Sequence, residues 1–106
     1  MTIDEYADWA AGVAGVEPLP STDTFSYLGL GLAGEAGEVA DHIKKLLRDG
    51  GLDTGGFTQE LGDVIYYWAC LCVASGQRPS ALLAKSREKI VHRLGKTAPP
   101  NEGDSP

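Results

Sequence analysis

The first 43 of the 106 residues contain no lysine or arginine. A secretory or organellar leader needs an early basic stretch followed by an apolar one, and MTIDEYADWAAGVAGVEPLP supplies neither, so no targeting segment is expected. No run approaches the roughly 18 apolar residues that a bilayer span requires. Cysteine is scarce as well. Cys70 and Cys72 stand two apart in an apolar run where their side chains diverge, which suggests neither a disulfide framework nor a zinc site. Together these absences predict a soluble, cytoplasmic protein with no membrane partner. Bases are outnumbered overall, 9 Lys+Arg against 15 Asp+Glu, and a formal charge of -6 argues against a nucleic-acid polymer as ligand.

What is present suffices for one small domain. With 42% apolar residues the chain is expected to fold, but a core of this size is limited and often completed by a second subunit. The charge is also segregated. Residues 1–43 carry eight acids and no base, whereas residues 78–96 carry a net +5. Either two solvated helix faces pair these charges, or an acidic and a basic helix together bind a ligand of both signs, such as a metal-bound polyphosphate.

Hydrophobic periodicity predicts an all-α chain of four helices and no strand pair. The first spans about Thr2 to Ala14, opened by Thr2 and Glu5 in capping-box spacing, with Ile3, Tyr6, Ala10 and Val13 on one face. Gly15 and the Pro18/Pro20 pair end it. The second runs from about Asp23 to Leu47, with Ser21, Thr22 and Asp23 as cap candidates and Arg48-Asp49-Gly50-Gly51 as its stop. A third starts between Asp53 and Thr58 and reaches Ser75, its stripe being Leu61, Val64, Ile65, Trp68, Leu71 and Cys72. Pro79 opens a fourth, to Leu94, with Leu82, Leu83, Ile90 and Leu94 as its face. Residues 1–95 read as one helical domain. Residues 96–106, KTAPPNEGDSP, have nothing to bury and are expected to be a disordered tail.

Two acid pairs concentrate the chemistry. Glu35 and Glu38 on the second helix, and Glu60 and Asp63 on the third, are each spaced i, i+3 and so share a face. Like charges so placed repel by about 0.2–0.5 kcal/mol per pair. If the two pairs face each other, four carboxylates converge, a situation that hard divalent cations relieve; oxygen-only donors favour Mg²⁺ or Mn²⁺. One ExxE pair alone is usually a solvated helix face. Gly34, Gly37 and Gly62 beside the acids strengthen the case, since mid-helix glycine costs roughly 0.5–1 kcal/mol and is expected where packing is close or a ligand needs access. The neighbouring apolar stripes predict that the acids point into a bundle.

The runs LGLGLAGEAGEVADHIKK (28–45) and ELGDVIYY (60–67), with 21 residues between Glu38 and Glu60, resemble the MazG-like branch of the all-α nucleoside triphosphate pyrophosphohydrolases, whose signature is ExxE, spacer, ExxD. The similarity extends from about residue 3 to residue 94. It implies a four-helix bundle-like fold assembled as a homodimer or a dimer of dimers. It also implies that Glu35, Glu38, Glu60 and Asp63 coordinate Mg²⁺, with Mn²⁺ able to substitute, and that the substrate is a (d)NTP cut to (d)NMP and pyrophosphate in nucleotide-pool control or house-cleaning. Lys89 and Arg93 match the family's closing basic positions and are expected to touch phosphate. Ser86 stands where the family commonly has Asn, so the polar contact there differs. Lys44 and Lys45 match the lysines after the first acid pair, although a helix C-terminus favours lysine in any case. Glu38, with Glu35, is the expected catalytic carboxylate. Tyr67 is expected to stack on or edge the base, whereas Trp68 falls on the core stripe and His42 reads more as a surface residue than as a ligand contact.

Other classes are tested by the same residues. Gly29 to Gly34 spells GxGxxG, but no strand precedes it and no second strand brings an acid about 20 residues on, so a dinucleotide fold is not supported. A di-iron bundle would need Glu-x-x-His ligands, which are absent. The remaining alternative is a non-catalytic helical dimerisation module whose acids only solvate it.

Overall fold

A computed structural model describes residues 1–95, and the expected tail at 96–106 lies outside these described residues. Four helices follow in order: α1 (Ile3–Ala14), α2 (Thr22–Asp49), α3 (Thr54–Ala74) and α4 (Pro79–Arg93), with no strand among the described residues. Their ends are set by local chemistry. Thr2 Oγ1 accepts from the Glu5 N–H at 3.0 Å while Glu5 Oε1 accepts from the Thr2 N–H at 2.7 Å, a complete capping box. Ser21 caps α2 through Thr24 N–H, and Asp53 caps α3 through Gly56 N–H. Gly50 closes α2 in the left-handed region (φ 77°), where a side chain would be strained. Pro79 occupies the first turn of α4, whose N–H groups need no partner within the helix. The GxGxxG run lies wholly inside α2, so its glycines form no strand-to-helix turn.

Helix α3 is the hub. It packs along α2 and across α1, while α4 touches α1 and α3, with Ser80 in its first turn bonded to Asp4 of α1. The core joins Ala7 and Ala10 of α1, Leu28 of α2, and Ala69, Cys70 and Ala74 of α3, with Phe25, Tyr66, Tyr67 and Trp68 closing round it. Alanine and cysteine let the helices approach closely, but they bury little area, and Leu28 is the one large aliphatic side chain that is fully buried (1% exposed) among the described residues. Cys70 and Cys72 are buried free thiols.

The bundle expected from the apolar stripes is only partly closed within one chain. Leu61 and Ile65 of the α3 stripe, Val13 of α1, and Leu83, Ile90 and Leu94 of α4 are exposed. No Cα of α4 comes within 8 Å of α2. The radius of gyration is 16.4 Å, against about 13 Å for a compact chain of 100 residues. Periodicity reports which residues share a face; it does not report whether a helix of the same chain covers that face.

Candidate metal centre

Three acids meet where α2 and α3 pass each other. Glu35, Glu60 and Asp63 each offer a carboxylate oxygen, and these oxygens lie within 4.8 Å of one another. The i, i+3 spacing of Glu60 and Asp63 puts both on the α3 face that packs along α2, opposite Glu35. Glu35 and Glu60 are half-buried and Asp63 is exposed. The Glu35 carboxyl lies above its ordinary range: burial is the largest cause, followed by the Glu60 carboxyl beside it and by the negative charges of Asp63, Glu60 and Glu38. Among the described residues no lysine or arginine forms an ion pair with any of the four acids.

The donor set fits a hard divalent cation. All donors are carboxylate oxygens, the type that Mg²⁺, Mn²⁺ and Ca²⁺ take and that zinc sites rarely use alone. Two oxygens on opposite sides of a Mg²⁺ ion lie about 4.2 Å apart, so the cluster needs only a small inward rotation of side chains. Glu38 stands apart from the triad. It is solvent-exposed one turn beyond Glu35, near enough to raise the Glu35 pKa but outside the tight oxygen cluster. The expected inward-facing set of four is therefore a rim-level set of three with a fourth acid beside it. With Leu61 and Ile65 uncovered, this end of α3 faces solvent in the single chain.

The structure also separates the glycines. A Cβ on Gly34, Gly37 or Gly62 would meet nothing within 4 Å, so these positions are open rather than closely packed. At Gly31 a Cβ would overlap the Tyr67 ring, and this glycine is the notch that seats Tyr67 against α2. Tyr67 is half-buried, its ring centroid 6.3 Å from that of Tyr27. The neighbouring Tyr27 hydroxyl, then burial, and then the charge of Glu35, raise its pKa. Tyr27, Gly31 and Glu35 are four apart and share one α2 face, a register the sequence displayed but that glycine cost alone did not single out. Tyr6 on α1 approaches the same end of α3, its pKa raised by burial first and then by Cys70 and Asp63. With Met1, Thr2, Ile3 and Ile65 it lines an open, mostly apolar hollow of about 280 Å³.

The remaining candidates are elsewhere. Lys45 Nζ pairs with Asp41 at 3.1 Å and Lys44 is exposed on α2. His42 packs edge-on to Phe57 (centroids 6.1 Å apart) over the N-terminus of α3, where its Cε1 would lie 2.8 Å from a Cβ on Gly56. Trp68 packs against the core. Ser86, Lys89 and Arg93 are exposed on α4, which does not pack on α2.

Fold and site define a class: an all-helical domain whose two longest helices hold a carboxylate cluster suited to a divalent cation. The family model for the MazG nucleotide pyrophosphohydrolase domain matches residues 23–97, and the chain belongs to this family. Family members are generally dependent on divalent metals. A relative, the Gene 37 protein of Mycobacterium phage L5, is 33% identical over 116 aligned positions covering 99% of each chain, and its name states no activity. No solved structure gives a significant match. No helix among the described residues is long and apolar enough to cross a membrane.

Proposed function

We propose that the protein hydrolyses nucleoside triphosphates, ribo- or deoxyribo-, to the monophosphate and pyrophosphate with Mg²⁺, Mn²⁺ being able to substitute. The observation that carries this reading is the convergence of Glu35, Glu60 and Asp63, which no lysine or arginine pairs among the described residues, within a chain of the MazG family. These three acids, with Glu38 beside them, would hold the cation, which when bound supplies charge neutralisation for the triphosphate and a more acidic water. Glu38, exposed and outside the tight cluster, is free to take the proton of the attacking water, with Glu35 as the other candidate. The new bond forms between water oxygen and the α-phosphorus; the bond from that phosphorus to the bridging oxygen breaks and pyrophosphate leaves. Tyr67, fixed by Gly31 and Tyr27, offers a ring edge at the cluster for sugar or base.

Lys44, Lys45, Ser86, Lys89 and Arg93 would contact phosphate, and the working unit is a homodimer or homotetramer, in keeping with the apolar faces that one chain leaves uncovered. Such an activity serves nucleotide-pool control or house-cleaning in the cytoplasm, with neither a nucleic-acid polymer nor a membrane as partner. The test is incubation with a panel of (d)NTPs and Mg²⁺ followed by separation of products. Monophosphate plus pyrophosphate, abolished by EDTA, is expected; diphosphate plus orthophosphate, or no turnover of any nucleotide, overturns the reading.

A further inference from the structure

Along α2 the acid cluster has a neighbour of different chemistry. Tyr27, Gly31 and Glu35 follow at four-residue intervals on one face, and α3 runs antiparallel to it, with Tyr67 over Gly31 where Glu60 and Asp63 meet Glu35 a turn away. At 1.5 Å per residue Gly31 stands roughly 6 Å and Tyr27 roughly 12 Å from Glu35, toward the start of α2. The Tyr27 and Tyr67 ring centroids are 6.3 Å apart, with the planes tilted by 60°. Tyr67 is half-buried and held in place, because the missing Cβ at Gly31 leaves the space that its ring fills. Tyr27 has the reverse character, being 67% exposed. In the other direction the same α2 face carries His42, half-buried and edge-on to Phe57. The open ring on this face therefore lies to one side of the acids.

A single exposed tyrosine is ordinary on a protein surface. Tyr27 differs in having a second, immobilised tyrosine beside it, and in continuing the line of the acids. The hollow lined by Tyr6 and Ile65 offers no equivalent. Tyr6 is the one ring in its lining, and Ile65 and Tyr67, two residues apart on α3, are about 200° apart round the helix, so a ligand in the hollow does not reach the tyrosine pair.

We propose that Tyr27 binds the nucleobase of the substrate: with Tyr67 seated in the Gly31 notch, it forms an aromatic shelf on which the base stacks while a cation at Glu35, Glu60 and Asp63 holds the phosphates. Every base presents a π face, so the shelf selects a nucleotide over a bare polyphosphate rather than one base over another. The inference rests on the nucleotide reading for its ligand, and adds where along the α2–α3 seam the base lies. Stacking uses the ring and not the hydroxyl, so phenylalanine serves in place of Tyr27.

Two measurements test this, one of them needing no turnover. In steady-state kinetics Tyr27→Ala is expected to lower kcat/KM for every (d)NTP by roughly 5- to 150-fold, the effect of removing one stacking ring, and Tyr27→Phe to recover most of the loss. Calorimetric Mg²⁺ binding should match the wild type in both variants. An unimpaired Tyr27→Ala, a Tyr27→Phe as poor as Tyr27→Ala, or loss of Mg²⁺ binding in Tyr27→Ala overturns the proposal. For the second, the chain carrying ¹³C in its tyrosine rings is titrated in the presence of Mg²⁺ with two probes. One is a deoxynucleoside triphosphate whose α–β bridging oxygen is replaced by NH, which resists the proposed cleavage; the other is inorganic triphosphate, which has no base. The Tyr27 ring signal, assigned by its loss in Tyr27→Phe, is expected to shift with the nucleotide and not with inorganic triphosphate. No shift, or the same shift with both, overturns the shelf even if the protein hydrolyses nucleotides. A shift with the nucleotide alone in a protein that hydrolyses none upholds the shelf and overturns the hydrolytic reading instead.

Discussion

Two groups of acids on this chain have nearly the same spacing and opposite surroundings. Asp4 and Asp8 on α1 are answered: Arg78 approaches Asp8 at 2.9 Å and Asp4 at 3.8 Å, and Ser80 gives Asp4 two hydrogen bonds. Glu35, Glu60 and Asp63 are unanswered, gathered within 4.8 Å with only another acid, Glu38, for company. The carboxyl pKa values shift in opposite directions accordingly. The Asp4 carboxyl lies below its ordinary range, through its hydrogen bonds from Ser80 first and Arg78 after, and the Glu35 carboxyl lies above, through burial and its acidic neighbours. Acid spacing along a helix therefore does not distinguish a latch from a cation site. The distinction comes from what the rest of the fold supplies: in one case the N-terminus of α4, in the other nothing from within the chain.

The strongest way to break the comparison is to neutralise one acid of each kind. Glu35→Gln is expected to reduce nucleotide turnover by at least the 10–100-fold typical of losing an interaction that supports a metal site. Asp8→Asn, on the latch, is expected to leave turnover within a few-fold, since it alters only a surface ion pair. Comparable losses for the two variants in a steady-state assay would erase the distinction.

A pair of glycines sharpens the site side of the comparison. Gly31→Ala drives a methyl into the Tyr67 ring, and overpacking of this kind costs about 1–3 kcal/mol, more than the up to ~1 kcal/mol of helix propensity that alanine returns. Gly34→Ala meets open space and is expected to stabilise the protein by up to ~1 kcal/mol. Thermal or denaturant unfolding should show opposite signs for the two, and stabilisation by both would place Tyr67 away from Gly31.

The smallest effects are those of pH on the metal-free protein. Because the Asp4 pKa is lowered by folding, its contribution is present above the ordinary carboxylate range and lost as pH falls through the lowered value. Because the Glu35 pKa is raised, the folded state holds its proton more tightly, and stability is lost as pH rises from the ordinary range through the raised value. Unfolding midpoints measured in EDTA across this range should lose their acid limb in Asp4→Asn and their upper limb in Glu35→Gln. A profile unchanged by both variants would contradict the paired assignment.

The contrast also explains what could be read from the residues alone. Helix ends were legible because their chemistry is local: the Thr2/Glu5 box, Ser21, Gly50 and Pro79 each act within a few residues. The two acid pairs and their facing helices were legible from i, i+3 spacing. What required the fold was every relation between helices: that Gly31 rather than Gly34, Gly37 or Gly62 is the packed glycine, that Lys45 is taken by Asp41, and that Glu38 stands outside the tight triad. The α4 face of Leu83, Ile90 and Leu94 was visible as a stripe, yet its exposure depends on the absence of a second helix beside it, which periodicity does not encode.

The central claim is that the unanswered acids, and not the answered ones, take up a divalent cation. Calorimetric titration of Mg²⁺ into the EDTA-treated, dialysed wild type, Asp4→Asn and Glu35→Gln measures it directly. Saturable binding in the wild type and in Asp4→Asn, lost or strongly weakened in Glu35→Gln, is the result predicted; no binding to the wild type, or equal binding to all three, would contradict it.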